Sequence, residues 1–221
     1  YPLRNNFFSL NEKIAIPLLG TRGCPYSCFN YCTYPLQQGR KVRARSVENI
    51  IQEIKYWQKT LGTNKFVFRD PVFSINRKHT IHFCEEVIRQ KLNITFMVET
   101  HLNNLDDEMI KLLANAGLEL VYVGIESASH VVLKDMQRFT IEHDEQYKII
   151  KKCEEMGIKV KTMFIIGNPE DTEQSVMETI KYSKHLPSLY SQYSVFTPYP
   201  GTPIYEDYKN LIYEKKLENF D

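Results

Sequence analysis

The chain has 221 residues, of which 43% are hydrophobic, 25% charged and 12% aromatic. A chain this long buries roughly 70% of the surface its unfolded form exposes, so it needs no disulfide or metal staple to fold, and the balance of apolar and charged residues excludes disorder. With 28 basic against 27 acidic residues the net charge is +1, so nothing global argues for nucleic acid or an anionic membrane as partner, and no run reaches the about 18 apolar residues of a spanning helix.

The chain opens at Tyr1-Pro2-Leu3 with neither Met nor a leader pattern, and it reads as an excerpt of a longer protein. Residues 1–12 read as a lead-in, 13–203 as the core and 204–221 as a C-terminal helix or tail. In chain order, residues 13–19 predict a strand that runs into a loop punctuated by Gly20, Gly23 and Pro25. Ser46 is placed to cap a helix over 47–60, with Ile50, Ile51, Ile54 and Trp57 on one face. A strand over 65–69 ends in Asp70-Pro71-Val72-Phe73, a helix follows over 77–91, and a strand over 94–99 ends in Glu99-Thr100-His101. Asp106 caps a helix over 107–116 that stops at Gly117. The strand over 120–125 runs into Glu126-Ser127, and Thr140 is read as the cap of a helix over 141–156 ending at Gly157. A strand over 159–166 precedes Gly167-Asn168-Pro169-Glu170, a helix follows over 172–185, and the last strand, 192–197, runs into Pro198-Tyr199-Pro200-Gly201-Thr202-Pro203. Residues 204–217 predict a final helix.

Regular alternation of strands and helices predicts an α/β fold with parallel strands, right-handed connections and a sheet buried on both faces. Six such units fit either an incomplete barrel or a doubly wound sheet. Both architectures put function at the C-terminal ends of the strands, and the unusual sequences fall there.

Of five cysteines, Cys84 and Cys153 sit in helical stretches and read as small buried hydrophobes. Cys24, Cys28 and Cys32 fall within nine residues of one loop. Clustered thiols invite a soft metal or an iron–sulfur cluster. A closed zinc site takes four protein ligands and no fourth is near, whereas a cubane held by three cysteines leaves one iron open. A non-catalytic iron–sulfur or zinc-binding module is the alternative to a catalytic site.

Together these residues resemble the radical S-adenosylmethionine (SAM) superfamily along nearly the whole chain. The loop Gly23-Cys24-Pro25-Tyr26-Ser27-Cys28, the run from Gln38 to Ser46, and the strand ends at Asp70-Pro71, Gly124-Ile125-Glu126-Ser127 and Thr197–Pro203 are similar to the subgroup that often carries a cobalamin-binding domain. The resemblance implies a partial (β/α)6 barrel. It implies that Cys24, Cys28 and Cys32 bind three irons of a [4Fe–4S] cluster whose fourth iron is chelated by SAM. Reductive cleavage of SAM would give a 5′-deoxyadenosyl radical that abstracts hydrogen from substrate.

By the same resemblance Tyr31 lies near the adenine, Asp70 and Pro71 form the turn whose backbone meets the SAM amino group, and Glu99 is a carboxylate some members turn on SAM. Glu126 with Ser127 reaches the ribose or methionine end, Arg138 pairs with the SAM carboxylate, and Ile165 packs on adenine. Two departures from the family pattern stand out. CxxxCxxC is CxxxCxxxC here, and Met163 occupies the first Gly of GxIxGxxE.

The basic run from Arg40 to Arg45 lacks interleaved aromatics and is expected near the cluster mouth or in solvent, so nucleic acid is an unlikely partner. His101 is the one histidine at a strand end and a candidate substrate contact. No Asp-x-His-x-x-Gly cobalamin motif is present, so cobalamin, if used, is bound by a domain outside this chain. A methylthio-transferring, RNA-modifying enzyme is a further alternative. A low-potential donor such as flavodoxin or ferredoxin, a cytoplasmic location and no membrane association complete the expectations. The substrate is not readable.

Overall fold

The computed structural model of the chain describes residues 15–26 and 28–212. The expected lead-in, the first residues of the expected 13–19 strand and the last part of the expected C-terminal helix lie outside these residues.

The elements in chain order are β1 (Ile16–Leu18), β2 (Thr21–Arg22), α1 (Tyr34–Gln38), β3 (Arg43–Ala44), α2 (Val47–Leu61), β4 (Lys65–Phe68), α3 (Arg77–Arg89) and β5 (Thr95–Thr100). They continue with α4 (Asp107–Ala116), β6 (Leu118–Glu126), α5 (His130–Asp135), α6 (His143–Glu155), β7 (Lys159–Ile166), α7 (Glu173–His185), β8 (Tyr190–Val195) and α8 (Pro203–Tyr208). Six strands form one all-parallel sheet in the order β1-β4-β5-β6-β7-β8, and β2 pairs antiparallel with β3 in a separate small ribbon.

That order decides between the two architectures. A doubly wound sheet reverses its strand order at a switch point, but here each strand is laid beside the previous one. Right-handed connections in a sheet that grows in one direction put every helix on the same face. The burial pattern agrees. Phe66, Phe68, Phe96, Val98, Val121, Val123, Val160 and Phe164 are buried on the helix-bearing face, while alternate residues Val67, Met97, Glu99, Tyr122, Gly124, Lys161 and Met163 are only half-buried. The expectation of a sheet buried on both faces is therefore corrected. A parallel sheet that curls into a partial barrel buries its convex face under helices and leaves its concave face as the wall of an open lumen.

The helices form where amphipathic spacing and caps coincide. Ser46, Asp106 and Thr172 each accept a hydrogen bond from the backbone N–H three residues on, and Thr172 forms a capping box with Ser175. Thr140 does not cap a helix as expected. Its hydroxyl is bonded to Ile141 O and to the Gln146 side chain, and α6 starts only at His143. β8 starts two residues earlier than expected and is an edge strand, which tolerates the polar residues that read as loop. The expected last helix is a short α8 followed by a 3-10 turn at Lys209–Leu211.

The core centres on five phenylalanines. Phe68 lies 4.8 Å from Phe73, 5.2 Å from Phe83 and 5.8 Å from Phe96 between ring centroids, and the fully buried Phe66 precedes it on the same face of β4. Because the buried Phe68 touches three other rings, Phe68→Ala is expected to lower unfolding stability by about 3–5 kcal/mol. Urea denaturation followed by far-UV circular dichroism reads that loss, and a shift under about 1 kcal/mol would contradict this packing.

Candidate functional site

The site is assembled where β1, β4, β5 and β6 end. Asp70, just past β4 and only 1% exposed, turns its carboxylate back to β1. It accepts from Gly20 N–H at 2.8 Å, from Thr21 N–H at 2.5 Å and from the Thr21 hydroxyl at 2.8 Å. Burial pushes its pKa up, against these donors. Asp70 thus fixes the point at which the chain leaves β1 for the cysteine loop.

The loop is then folded over by its own backbone and by the basic run. Gly23 sits at φ +93, and a Cβ there would collide with the Lys41 carbonyl, so no side chain fits. Cys24 N–H donates to Gly39 O at 3.1 Å. Arg40, Arg43 and Arg45 donate to the carbonyls of Pro25 (2.9 Å), Gln38 (2.6 Å) and Leu19 (2.9 Å). The basic run therefore braces the cysteine loop.

Cys28 begins a 3-10 turn that ends at Asn30, and Cys32 N–H bonds to Cys28 O at 3.0 Å. That helical turn absorbs the extra residue of CxxxCxxxC, because residues four apart lie on one face of a helical turn. The two sulfurs accordingly share a hydrogen bond. The Cys32 thiol donating to Cys28 draws the latter's pKa down to about 6 against burial, with Arg138 adding to the effect. Cys32 is raised correspondingly, and Cys24 is raised by burial. All three are free thiols.

Arg138 faces them from beyond β6. Its Nη1 lies 3.9 Å from Cys28 Sγ, its Nη2 donates to Gly124 O at 2.8 Å and stands 3.5 Å from Glu126 Oε1. Both side chains of this pair are nearly buried, at 11% and 12% exposure. Glu126 is reached through a bulge: the β6–β7 register shifts between Gly124 and Glu126, and Glu126 takes φ +69. A Cβ on Gly124 would collide with the Glu126 carboxylate and crowd Arg138. The bare α-carbon is what lets the pair form.

On the other wall, Glu99 accepts from the Tyr34 hydroxyl at 2.9 Å and lies 3.5 Å from Arg69 Nη1. His101 is buried; its Nε2 pairs with Phe139 O at 2.9 Å and its Nδ1 accepts from Asn103 N–H at 3.3 Å. These partners suit the neutral ring, and burial with nearby Arg138 lowers its pKa to about 4.

One cleft of about 130 Å³ collects Cys24, Cys28, Cys32, Tyr31, Pro71, Glu99, His101, Glu126 and Arg138. Tyr26, Tyr34, Tyr122 and Met163 also line its walls. Among the described residues no three His, Cys, Asp or Glu side chains converge on one point as a single metal ion requires. A cubane cluster spreads its irons over a larger body, so thiols lining one pocket suit it better than they suit a lone zinc. Of the expected site residues, Asp70 spends its carboxylate on the β1 loop, and Ser127 is turned to Thr179 of α7 and Ser129 N–H. Ile165 shares the concave face of β7 with Met163, two residues further toward the mouth. Tyr34 and Tyr122 were not singled out from sequence. The spacing of Tyr34 from Cys32 carries no signal until α1 brings it to Glu99.

A match to the family model of the radical SAM superfamily runs over residues 18–183. The chain belongs to the radical SAM superfamily. It is 32% identical over 189 residues (86% of this chain, 41% of the relative) to an uncharacterized methyltransferase of Pyrococcus horikoshii. It is 28% identical to the bacteriochlorophyllide d C-12(1)-methyltransferase of Chlorobaculum tepidum, covering 97% of this chain and 48% of that protein. The chain thus spans less than half the length of these curated relatives. Its fold matches the radical SAM methyltransferase TsrM of Kitasatospora setae, solved with cobalamin and a [4Fe–4S] cluster, at TM-score 0.82 and 19% identity, covering 89% of this chain and 37% of TsrM. The partial barrel is thereby the radical SAM core type. No helix among the described residues is long and apolar enough to cross a membrane.

The buried, neutral His101 sets a pH dependence. Its folded pKa lies below the unfolded value near 6.5, so its neutral burial costs nothing above that pH and destabilises the fold as pH falls from 6.5 toward 4. Wild type is expected to lose about 2 kcal/mol more stability between pH 8 and pH 5 than His101→Asn does. Urea midpoints at the two pH values check this, and equal losses would refute it.

Proposed function

We propose that this chain is the catalytic core of a radical SAM enzyme in which Cys24, Cys28 and Cys32 hold a [4Fe–4S] cluster. The observation that carries the reading is that three free thiols line the same cleft as the Arg138–Glu126 pair. When bound, the cluster supplies the electron that cleaves SAM to methionine and a 5′-deoxyadenosyl radical. The protein's own part is to seat SAM and keep water away. Arg138 offers its guanidinium to the SAM carboxylate, a contact its planar fork suits. Glu126 faces the methionine or ribose end, with Ser127 contributing backbone. The backbone at Asp70 and Pro71 meets the amino group, Glu99 stands opposite, and Tyr31 and Ile165 flank the adenine. Tyr26, Tyr34, Tyr122 and Met163 form a largely aromatic wall that excludes water from the reacting atoms.

The reaction subclass follows the relatives in this reading: methyl transfer or ring formation, with cobalamin held by a domain outside these residues. Relatives named as methyltransferases and as an anaerobic magnesium-protoporphyrin IX monomethyl ester cyclase of Rubrivivax gelatinosus support it. A low-potential reductant of the flavodoxin or ferredoxin kind, and the reducing cytoplasm, belong to the same proposal. The net charge of +1 and the engagement of Arg40, Arg43 and Arg45 with loop carbonyls support a substrate other than nucleic acid.

Anaerobic reconstitution tests the reading. About four irons per chain and 5′-deoxyadenosine on reduction with SAM are expected, and Cys24→Ala, Cys28→Ala and Cys32→Ala should each abolish the nucleoside. One zinc per chain, or an intact cluster that never yields 5′-deoxyadenosine, would overturn it.

A further inference from the structure

Strand register builds a second feature one layer deeper in the lumen. Val67 pairs with Met97, so the next residues on that pair of strands set Arg69 beside Glu99; Glu99 pairs with Tyr122, Tyr122 with Lys161, and Lys161 with Tyr190. Paired residues of a parallel sheet point to the same face. Glu99, Tyr122, Lys161 and Tyr190 therefore form one row across four strands on the concave face, and Arg69, just past β4, extends it. The row is continuous with the cleft, because Glu99 and Tyr122 also line it. Lys161 sits two residues before Met163, another wall residue, or about 6–7 Å along β7.

The charges in the row do not cancel. Arg69 faces Glu99 at 3.5 Å, and the other Glu99 oxygen takes the Tyr34 hydroxyl. One cation and one anion are thereby matched. Lys161 remains: its Nζ stands over the Tyr122 ring at 5.1 Å and over the Tyr190 ring at 5.2 Å. Among the described residues no carboxylate is within salt-bridge distance of it. Two aromatic faces position an ammonium but do not neutralise it. A half-buried lysine between two rings, in a row whose Glu99 and Tyr122 line the cleft, leaves a charge for an anion.

We propose that Lys161, flanked by Tyr122 and Tyr190, binds a carboxylate or phosphate group of the substrate and so orients the rest of it toward the thiol end of the cleft. This rests on the reading that substrate and SAM meet in that cleft. Tyr122 and Tyr190 add flat apolar contact beside the charge, so an anion carried on a planar or aromatic body fits best. Arg69 is paired with Glu99 and serves to keep that carboxylate from competing for Lys161.

The test uses the reconstituted full-length protein and three probes of one shape: benzoate, phenyl phosphate and uncharged benzamide, titrated by calorimetry. Benzoate or phenyl phosphate is expected to bind at least about tenfold tighter than benzamide, the tighter of the two identifying the anion. Lys161→Met should erase the preference and Lys161→Arg should keep it. A wild type that binds benzamide as well as both anions overturns the proposal, as does a preference that survives Lys161→Met to within about twofold. Iron content and SAM binding are measured on the same samples. Failure of those with the anion preference intact strikes the proposed function, whereas loss of the preference with SAM binding intact strikes this inference.

Discussion

A carboxylate removed from water and surrounded by donors sets the geometry on which the rest of the cleft depends. Asp70 gathers two backbone N–H groups and a hydroxyl from the start of the loop after β1, and each of these would otherwise be an unsatisfied polar group at the sheet's edge. The same three bonds offset part of its own desolvation. The result is a fixed joint between neighbouring strands β1 and β4. From that joint the cysteine loop departs in one direction and the turn at Pro71 in another, so the thiols and the opposite wall keep their spacing. Arg40, Arg43 and Arg45 then close the loop from outside by donating to its carbonyls.

The two faces of the sheet do different work. The convex face is a continuous apolar layer in which the phenylalanines of β4, β5 and α3 interlock. It supplies the stability. The concave face carries Glu99, Tyr122, Glu126 and Lys161, which a buried sheet would not tolerate without partners. Stability is thus located where chemistry is absent, and the polar wall is left for ligands.

Much of this division was legible in the residues. Periodicity placed the longer helices α2, α3, α4 and α6 because each carries an apolar stripe, with Ser46 and Asp106 legible as caps, and three cysteines in a Gly/Pro-rich loop pointed to the candidate site. What sequence could not give was direction. Asp70 and Ser127 were correctly located at strand ends, yet their side chains turn to Thr21 and to Thr179, partners 49 and 52 residues away. Thr140 had the chemistry of a cap and spent it on Gln146. The lumen-facing polarity of β7 was hidden because Lys161 in Lys159-Val160-Lys161-Thr162 carries no signal of its own, and only the register with Tyr122 and Tyr190 gives it a place. The extra residue before Cys32 was likewise opaque until a helical turn was seen to take it up.

Glu126 occupies a backbone conformation that side-chain-bearing residues rarely adopt. Such a conformation carries a cost of the order of 1–3 kcal/mol. The fold holds it there because the bulge swings the carboxylate into reach of Arg138. A glycine at that position would relax the chain and discard the counter-charge, leaving a buried guanidinium without its partner. Directed evolution of this scaffold for heat tolerance therefore meets a conflict at one residue, where conformational ease and charge placement pull toward different amino acids.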